Sequence, residues 1–490
     1  MKRREFVGAG LALTAAWPLK GWSTVLKNVG DVAAKSLDGG DLTLRGSSVE
    51  EFAASLRGDL LLAGNPSYDA RRRVWNGLFD RRPALIAACT GTADVRRAVD
   101  FAREHELLTA VRAGGHSISG KSTCDGGLVI DLQQMQGVRV EPEMNRAFLE
   151  AGSPLGLLDH ETAAFGFATT AGTVSHTGAA GLTLGGGFGR LGRRFGLTCD
   201  NALAFDIVTA DGHFLRATEE ENADLFWGLR GGGGNFGVVT SIEYRLHRMD
   251  PVVLGGDLVW PATKARDVLR YFRDNLSKWP PELYAEPVLV VGPEGPVLSM
   301  EVLWSGDRAK GEEILKGLRA FNAPVADSIG PKRYVDIQHG LDEMTAFGGY
   351  YYVKNGFMNQ LTDDAIDHAI DVFRRHPGQF FLFFDPVDGA YHKVAADASA
   401  FPNRGALIWF AMIAILGTAE GAEEKIGKLR AAWKELAPLT SGFYTNLGSD
   451  EPLSAYRENY GANLERLVAL KAKYDPMNLF RLNANVPPKV

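Results

Sequence analysis

A histidine set among glycines, in Arg112-Ala113-Gly114-Gly115-His116-Ser117-Ile118-Ser119-Gly120, is the first group in this chain with evident chemistry. Its three glycines let the backbone turn sharply and approach a ligand closely. N–H groups exposed in such a turn make a concavity for phosphate oxygens. Imidazole is a competent nucleophile, so a histidine there could bond to a nucleotide cofactor. Taken alone, the segment also fits an ordinary turn with a solvated histidine. Two more glycine clusters follow, Gly181 to Gly192 and Arg230 to Val239. Three clusters in this order imply backbone wrapped around a long, flat ligand at several points. The middle cluster satisfies GxGxxG as Gly187-Phe188-Gly189-Arg190-Leu191-Gly192, with Asp211 downstream. A dinucleotide fingerprint needs strand, turn and helix in one unit. No convincing strand precedes these glycines, and Asp211-Gly212 reads as the turn of a hairpin within Phe205–Leu215. The Rossmann reading is set aside.

The elements that must hold these residues follow from hydrophobic spacing. Leu107–Val111 reads as the strand that feeds the histidine loop, beside strands at Ala84–Cys89 and Gly127–Leu132. Val95, Ala98, Val99 and Ala102 recur at helical spacing and predict a helix over Thr92–His105, with Thr92 or Asp94 near its N-cap. A strand at Phe148–Gly152 and a helix at Leu155–Phe165 extend a mixed lobe to about Met249. From Pro251 to about Leu439 the pattern changes. Val288–Val291 and Val297–Leu303 flank Gly292-Pro-Glu-Gly295, a hairpin signal. Helices are predicted at Thr263–Leu276, Ala309–Phe321, Asp363–Arg375 and Ala419–Leu436, with strands at Gln379–Phe384 and Ala406–Ile415. One helix, Ala455–Tyr474, precedes the closing tail.

At 490 residues and 45% hydrophobic, the chain can bury more than one core. A net charge of −6 carries no basic bias, so nucleic acid is not an expected partner. Cys89, Cys124 and Cys199 form neither a CxxC nor a disulfide framework, and no His/Cys cluster has metal-ligand spacing. No metal is expected. Met1-Lys2-Arg3-Arg4-Glu5-Phe6 leads into a short apolar run, Val7–Trp17, below the ~20 residues of a membrane span. The order matches a twin-arginine export signal, predicting a periplasmic or secreted protein; a short basic-flanked helix is the alternative.

Several longer strings make the assignment specific. Arg112–Ser117, Gly181–Gly189, Gly196-Leu-Thr-Cys-Asp-Asn201 and Asp224–Val239 occur in an order that closely resembles the berberine bridge enzyme-like branch of the FAD-linked oxidases. Asn459-Tyr-Gly-Ala-Asn-Leu464, Lys473–Phe480 and Asn483–Pro488 resemble its tail. The likeness runs from about Pro66 to Pro488. It implies an α+β fold of the vanillyl-alcohol oxidase (PCMH) type: a two-subdomain FAD-binding lobe at 66–250 and a substrate lobe at 251–440 whose antiparallel sheet is backed by helices. A segment at 441–490 would return to the FAD lobe, and 1–35 would be signal and linker.

The resemblance further implies that His116 bonds covalently to the 8α carbon of FAD. Where relatives carry a second, cysteinyl bond, this chain has Val174 in Thr173-Val-Ser-His-Thr-Gly178, so attachment through His116 only is expected. FAD would be held by Ala113, Gly114, Gly115, Ser117 and Gly120; by Gly172, Thr173, Val174, Thr177 and Gly178; by Leu182, Gly185, Gly186 and Gly187; and by Gly237, Val238 and Val239. Asn483 and Asn485 resemble a polar pair near the flavin edge, and His176 is a family-typical neighbour.

Oxidation needs a hydride donor and a group to take the substrate's proton. Tyr444, in a segment resembling a Tyr-x-Asn strand, is the first candidate, with Tyr350, Tyr351 and Tyr352 before Lys354 as alternatives. Tyr460 at the start of the terminal helix reads as structural. The expected reaction oxidises a CH–OH or CH–N centre of a small molecule, with oxygen or another electron acceptor. Leu407–Ile413 lacks the glutamine of carbohydrate-oxidising relatives, and the aromatic substrate lobe leans toward an aromatic metabolite over a sugar. A flavin-carrying binding protein and a nicotinamide-dependent reductase are the rivals.

Overall fold

The computed structural model describes residues 26–489. The twin-arginine segment lies outside the described residues. Four short strands open the core: β1 (Asp59–Leu61), β2 (Leu85–Ala88), β3 (Thr109–Arg112) and β4 (Leu128–Asp131). They lie in the order β1-β2-β4-β3, with β2 and β3 parallel to β4. Parallel strands are covered on both faces, which is why Leu85-Ile-Ala-Ala88 is apolar without alternation. Helix α1 (Thr92–Glu104) lays Val95, Ala98, Val99 and Ala102 on this core, all fully buried. Its start differs from the expected cap. Thr92 is already helical, and the Asp94 carboxylate accepts N–H bonds from Arg57, Gly58 and Thr90 at 2.8–3.1 Å.

A second sheet contains β5 (Val138–Glu141), β6 (Arg146–Glu150), β7 (Ala202–Thr209), β8 (Phe214–Ala217) and β9 (Gly237–Arg245), in the order β8-β7-β9-β6-β5. All its ladders are antiparallel, and Asp211-Gly212 lies in the β7–β8 turn.

The third sheet has eight strands. Its long members are β10 (Val252–Pro261), β11 (Leu283–Gly292), β12 (Gly295–Trp304), β13 (Tyr351–Met358), β14 (Phe381–Pro386) and β15 (Ile408–Ile415). They run β10-β12-β11-β14-β15-β13, with short edge strands beside β10. Helices α2 (Ala265–Leu276), α3 (Arg308–Ala320), α4 (Asp363–Arg375) and α5 (Ala422–Leu436) share one core with Tyr352, Leu382, Phe384, Phe410 and Met412. Side chains alternate along a strand, so Tyr351, Val353, Phe383, Asp385, Trp409 and Ile413 face the other way, toward the first lobe.

The terminal helix is two helices, α6 (Leu453–Tyr460) and α7 (Leu464–Tyr474). Gly461, with φ +49°, breaks the pattern, so Tyr460 ends a helix instead of starting one. The fully buried Lys471 ammonium then meets Asp475 at 2.6 Å and the carbonyls of Asn235 and Phe480. That cluster fixes the tail against the third glycine loop. Among the described residues, no helix is long and apolar enough to cross a membrane.

Candidate active site

Between the two sheets of the first lobe and the third sheet lies a cavity of about 430 Å³, within the range of small-molecule and cofactor sites. Sequence-distant loops meet on its wall. The histidine loop, residues 172–178 and the Gly233-Gly234 turn all reach it, as do Gly237, Val239 and Asn483. Two loops cross at the bottom with no room for side chains: a Cβ on Gly114 would overlap the Gly178 backbone, and the converse holds. Gly115 has φ +71°, a left-handed conformation that suits glycine.

His116 projects into the cavity. Its Nε2 is 2.7 Å from His176 Nδ1, while its Nδ1 has only a 3.4 Å contact with the Thr177 hydroxyl. Trp75 stacks on the imidazole at 4.8 Å and on Tyr351 at 4.1 Å. Burial, reinforced by His176, pushes the His116 pKa down to about 3, so the ring is neutral at physiological pH. With Nε2 as the donor to His176, Nδ1 keeps its lone pair. The Asn483 carboxamide donates to the carbonyls of Gly234 and Phe480 and leaves its own oxygen without a partner. The Ser122 hydroxyl on the same wall is also unpartnered. A buried acceptor and hydroxyl left over on a glycine-lined wall fit a polar, flat cofactor.

The residues expected to hold FAD separate into two groups. Ala113, Gly114, Gly115, His116, Ser117, Gly172, Thr173, Val174, Thr177, Gly178, Leu182, Gly237, Val239 and Asn483 line the cavity. Val238 does not, because alternation on β9 turns it into the core. Gly120 packs on Phe79, and Asn485 is buried without lining the cavity. Gly185, Gly186 and Gly187 shape the loop from behind: Cβ atoms there would overlap Asn446, Phe401 and Thr198. No cysteine lines the cavity; all three are buried, and burial pushes the Cys124 thiol up to about 12.

Tyr444 reaches the cavity from a loop, not from a strand. Asn355 on β13 holds the segment through its side chain, accepting from the Tyr444 N–H at 2.7 Å and from Trp409 Nε1 at 3.0 Å. The phenol oxygen accepts from Gly187 N–H at 3.1 Å and from Asn446 Nδ2 at 2.7 Å. Those donors favour the phenolate, yet burial outweighs them and holds the pKa above its ordinary value. Tyr352 lies on the helix-facing side of β13, bonded to Asp450 at 3.0 Å, and Tyr350 packs against the same core. Neither lines the cavity; Tyr351, between them, does. Trp409, from the aromatic substrate lobe, lines it too, and Trp75, Glu286 and Asp385 do so without having been expected. For the two acids the legible signal is a lone carboxylate inside an apolar strand.

The FAD binding domain family matches residues 83–218, and the family described as berberine and berberine like matches 444–487. An FAD-linked oxidoreductase of Dictyostelium discoideum is 31% identical over 445 residues, 90% of this chain and 97% of its own. The (R)-6-hydroxynicotine oxidase of Paenarthrobacter nicotinovorans is 31% identical over 455 residues, 89% of this chain and 98% of its own. The chain belongs to the berberine bridge enzyme-like family of FAD-linked oxidoreductases. Among solved structures, 6-hydroxy-D-nicotine oxidase from Arthrobacter nicotinovorans superimposes with a TM-score of 0.80 at 27% identity, covering 89% of this chain and 99% of its own. A berberine bridge enzyme-like protein of Physcomitrella patens gives 0.82 at 25%, with 90% and 99% covered. This berberine bridge enzyme-like chain is thus an FAD-dependent enzyme.

Proposed function

We propose that this enzyme oxidises a CH–OH or CH–N group of a small aromatic metabolite, using FAD held by one covalent bond from His116, with dioxygen as acceptor. Bound FAD supplies a hydride acceptor and passes the electrons on. His116 Nδ1, neutral and without a close protein partner on an otherwise packed wall, carries the covalent reading. His176, accepting from Nε2, would hold the ring in the tautomer that leaves this nitrogen free. The loops at 113–117 and 172–178, with Asn483, hold the cofactor's polar length. Val174 at the position of the second bond in relatives supports single attachment, and with Thr177 it lines the cavity. Trp75 and Trp409 line the cavity with aromatic surface and would help keep water from a reaction there. Tyr444 takes the substrate's proton, its phenolate stabilised by the Gly187 and Asn446 donors. The basic N-terminal motif supports twin-arginine export to the periplasm or beyond.

The test is acid denaturation of the purified holoenzyme followed by fluorescence and mass analysis. Wild type should keep one FAD per chain, and His116→Ala should release it. Freely extracted FAD from wild type would end the covalent reading; anaerobic bleaching by a substrate panel then tests the oxidation itself.

A carbohydrate substrate is the second reading. A chitooligosaccharide oxidase of Gibberella zeae, 26% identical over 87% of this chain and 92% of its own, favours it. The aromatic lining from Tyr351, Phe381, Phe383 and Trp409 favours the first.

A further inference from the structure

The third sheet carries a row of carboxyls across four adjacent strands. Asp257 on β10 pairs with Glu301 on β12, and Glu301 pairs with Glu286 on β11. The β11–β14 register, Val288 with Phe383, continues two residues to set Asp385 opposite Glu286. Like charges directly opposite each other on a sheet are destabilising. Among the described residues, one buried cation answers the row: Arg190, whose Nε meets Glu301 at 2.7 Å and whose Nη1 donates to Gln338. That guanidinium is committed. Glu286 and Asp385 are 7% and 5% exposed, line the cavity, and have no ion-pair partner among the described residues. The fully buried Tyr284 hydroxyl, on the same face of β11, lies near both and makes no hydrogen bond among the described residues.

Two unpaired buried carboxyls aimed into a cavity cost stability unless something there uses them. Around them the wall is apolar and aromatic, with Phe383 and Trp409 beside Asp385. An aromatic wall with a negative end suits an organic cation better than a polyol. We propose that Glu286 and Asp385 are the specificity determinants of this cavity: the pair gives up a proton to receive the ammonium group of an aromatic or alicyclic amine. The amine's apolar body lies along Phe383 and Trp409. This rests on the reading of the cavity as the place where substrate meets the flavin, and it chooses CH–N over CH–OH. Burial, joined by the facing carboxyls, holds both protons in the empty cavity, raising Asp385 to about 8 and Glu286 well above the carboxylate range. The groups facing the pair are Glu301, Arg190, Tyr284 and Tyr391.

The test uses the FAD-loaded enzyme and two probes of matched shape, benzylamine and benzyl alcohol, with binding read from the flavin absorption spectrum. Benzylamine should bind about tenfold more tightly or better, and Glu286→Gln or Asp385→Asn should each remove most of that preference, amine binding falling far more than alcohol binding. Because binding releases a proton, amine affinity should rise from about pH 6 to about pH 9 while alcohol affinity stays flat. The wild-type comparison and its pH dependence decide the matter even if a variant does not fold. Equal affinity for the probes, binding of neither, or an equal loss of both in the variants overturns the proposal. A protein that loads no FAD fails the functional reading itself. A protein whose flavin is bleached by alcohols as readily as by amines fails only this inference.

Discussion

The Tyr444 oxygen is where two opposing forces on one proton can be read separately. Gly187 N–H and Asn446 Nδ2 converge on it and favour the phenolate. Burial without a neighbouring cation raises the pKa and wins. As the base, Tyr444 is therefore mostly protonated at neutral pH, and the active fraction grows as pH rises. For a substrate that does not itself titrate there, kcat/KM should climb about tenfold per pH unit from roughly pH 7 to roughly pH 10. Tyr444→Phe should lower it about a hundredfold or more and flatten the climb. Asn446→Ala removes one donor and should move the rise to higher pH. A flat profile in wild type would remove Tyr444 from the base role. The residue itself was legible in the sequence through its motif. Its setting was not, because Asn355, 89 positions away, fixes the loop through side-chain bonds that leave no periodicity to read.

At the scale of elements, alternation and close approach decide which neighbours face the site. On β13 the strand period sends Tyr351 to the cavity and Tyr352 to the helices. Tyr351→Leu should change KM and the flavin spectrum, besides losing the Trp75 stack and the bond to the Ala346 carbonyl. Tyr352→Phe loses a bond to Asp450 and should reduce stability by about 1 kcal/mol while leaving KM unchanged. Parallel kinetics and denaturant titration separate the two. At the crossing of the histidine loop with residues 172–178, Gly114→Ala forces a Cβ into the Gly178 backbone. The purified variant should lose most of its flavin absorbance relative to protein while retaining its secondary structure by circular dichroism. Such local devices were largely legible. The histidine loop is nine contiguous residues, and α4 announces itself through the Thr362 cap, Asp363 and Asp364 in the first turn, and an apolar stripe. The carboxyl row was not legible, because each strand contributes one acid and only the sheet order 10-12-11-14 places them side by side. Trp75 escaped for the same reason: nothing local shows that it will stack on His116.

At the scale of the whole molecule, the cavity persists only if the third sheet stays seated on the FAD-binding lobe, and Arg193 does much of the seating. It follows the middle glycine cluster yet reaches into the substrate lobe, 2% exposed. Its guanidinium bridges both Asp388 oxygens at 2.5 and 3.0 Å. It also donates to the Leu276 carbonyl at 2.9 Å, at the C-terminus of α2 where the helix dipole is negative, and to the Leu283 carbonyl at the start of β11. Removing the cation strands a buried carboxylate and several carbonyls, which costs about 3–5 kcal/mol. Arg193→Met should therefore shift the denaturation midpoint sharply downward. Arg193→Met with Asp388→Asn should recover part of the loss, giving a coupling of about 1–3 kcal/mol in the double-mutant cycle. Function should show the same geometry. Arg193 touches neither the histidine loop nor the cavity wall, so flavin content should hold in the folded fraction. The sheet bearing Trp409, Glu286 and Asp385 would sit less firmly over the cavity, so KM should rise more than kcat falls. If flavin content drops in step with KM, the two lobes do not act as separate holders of cofactor and substrate, and Arg193 supports the FAD-binding loops directly.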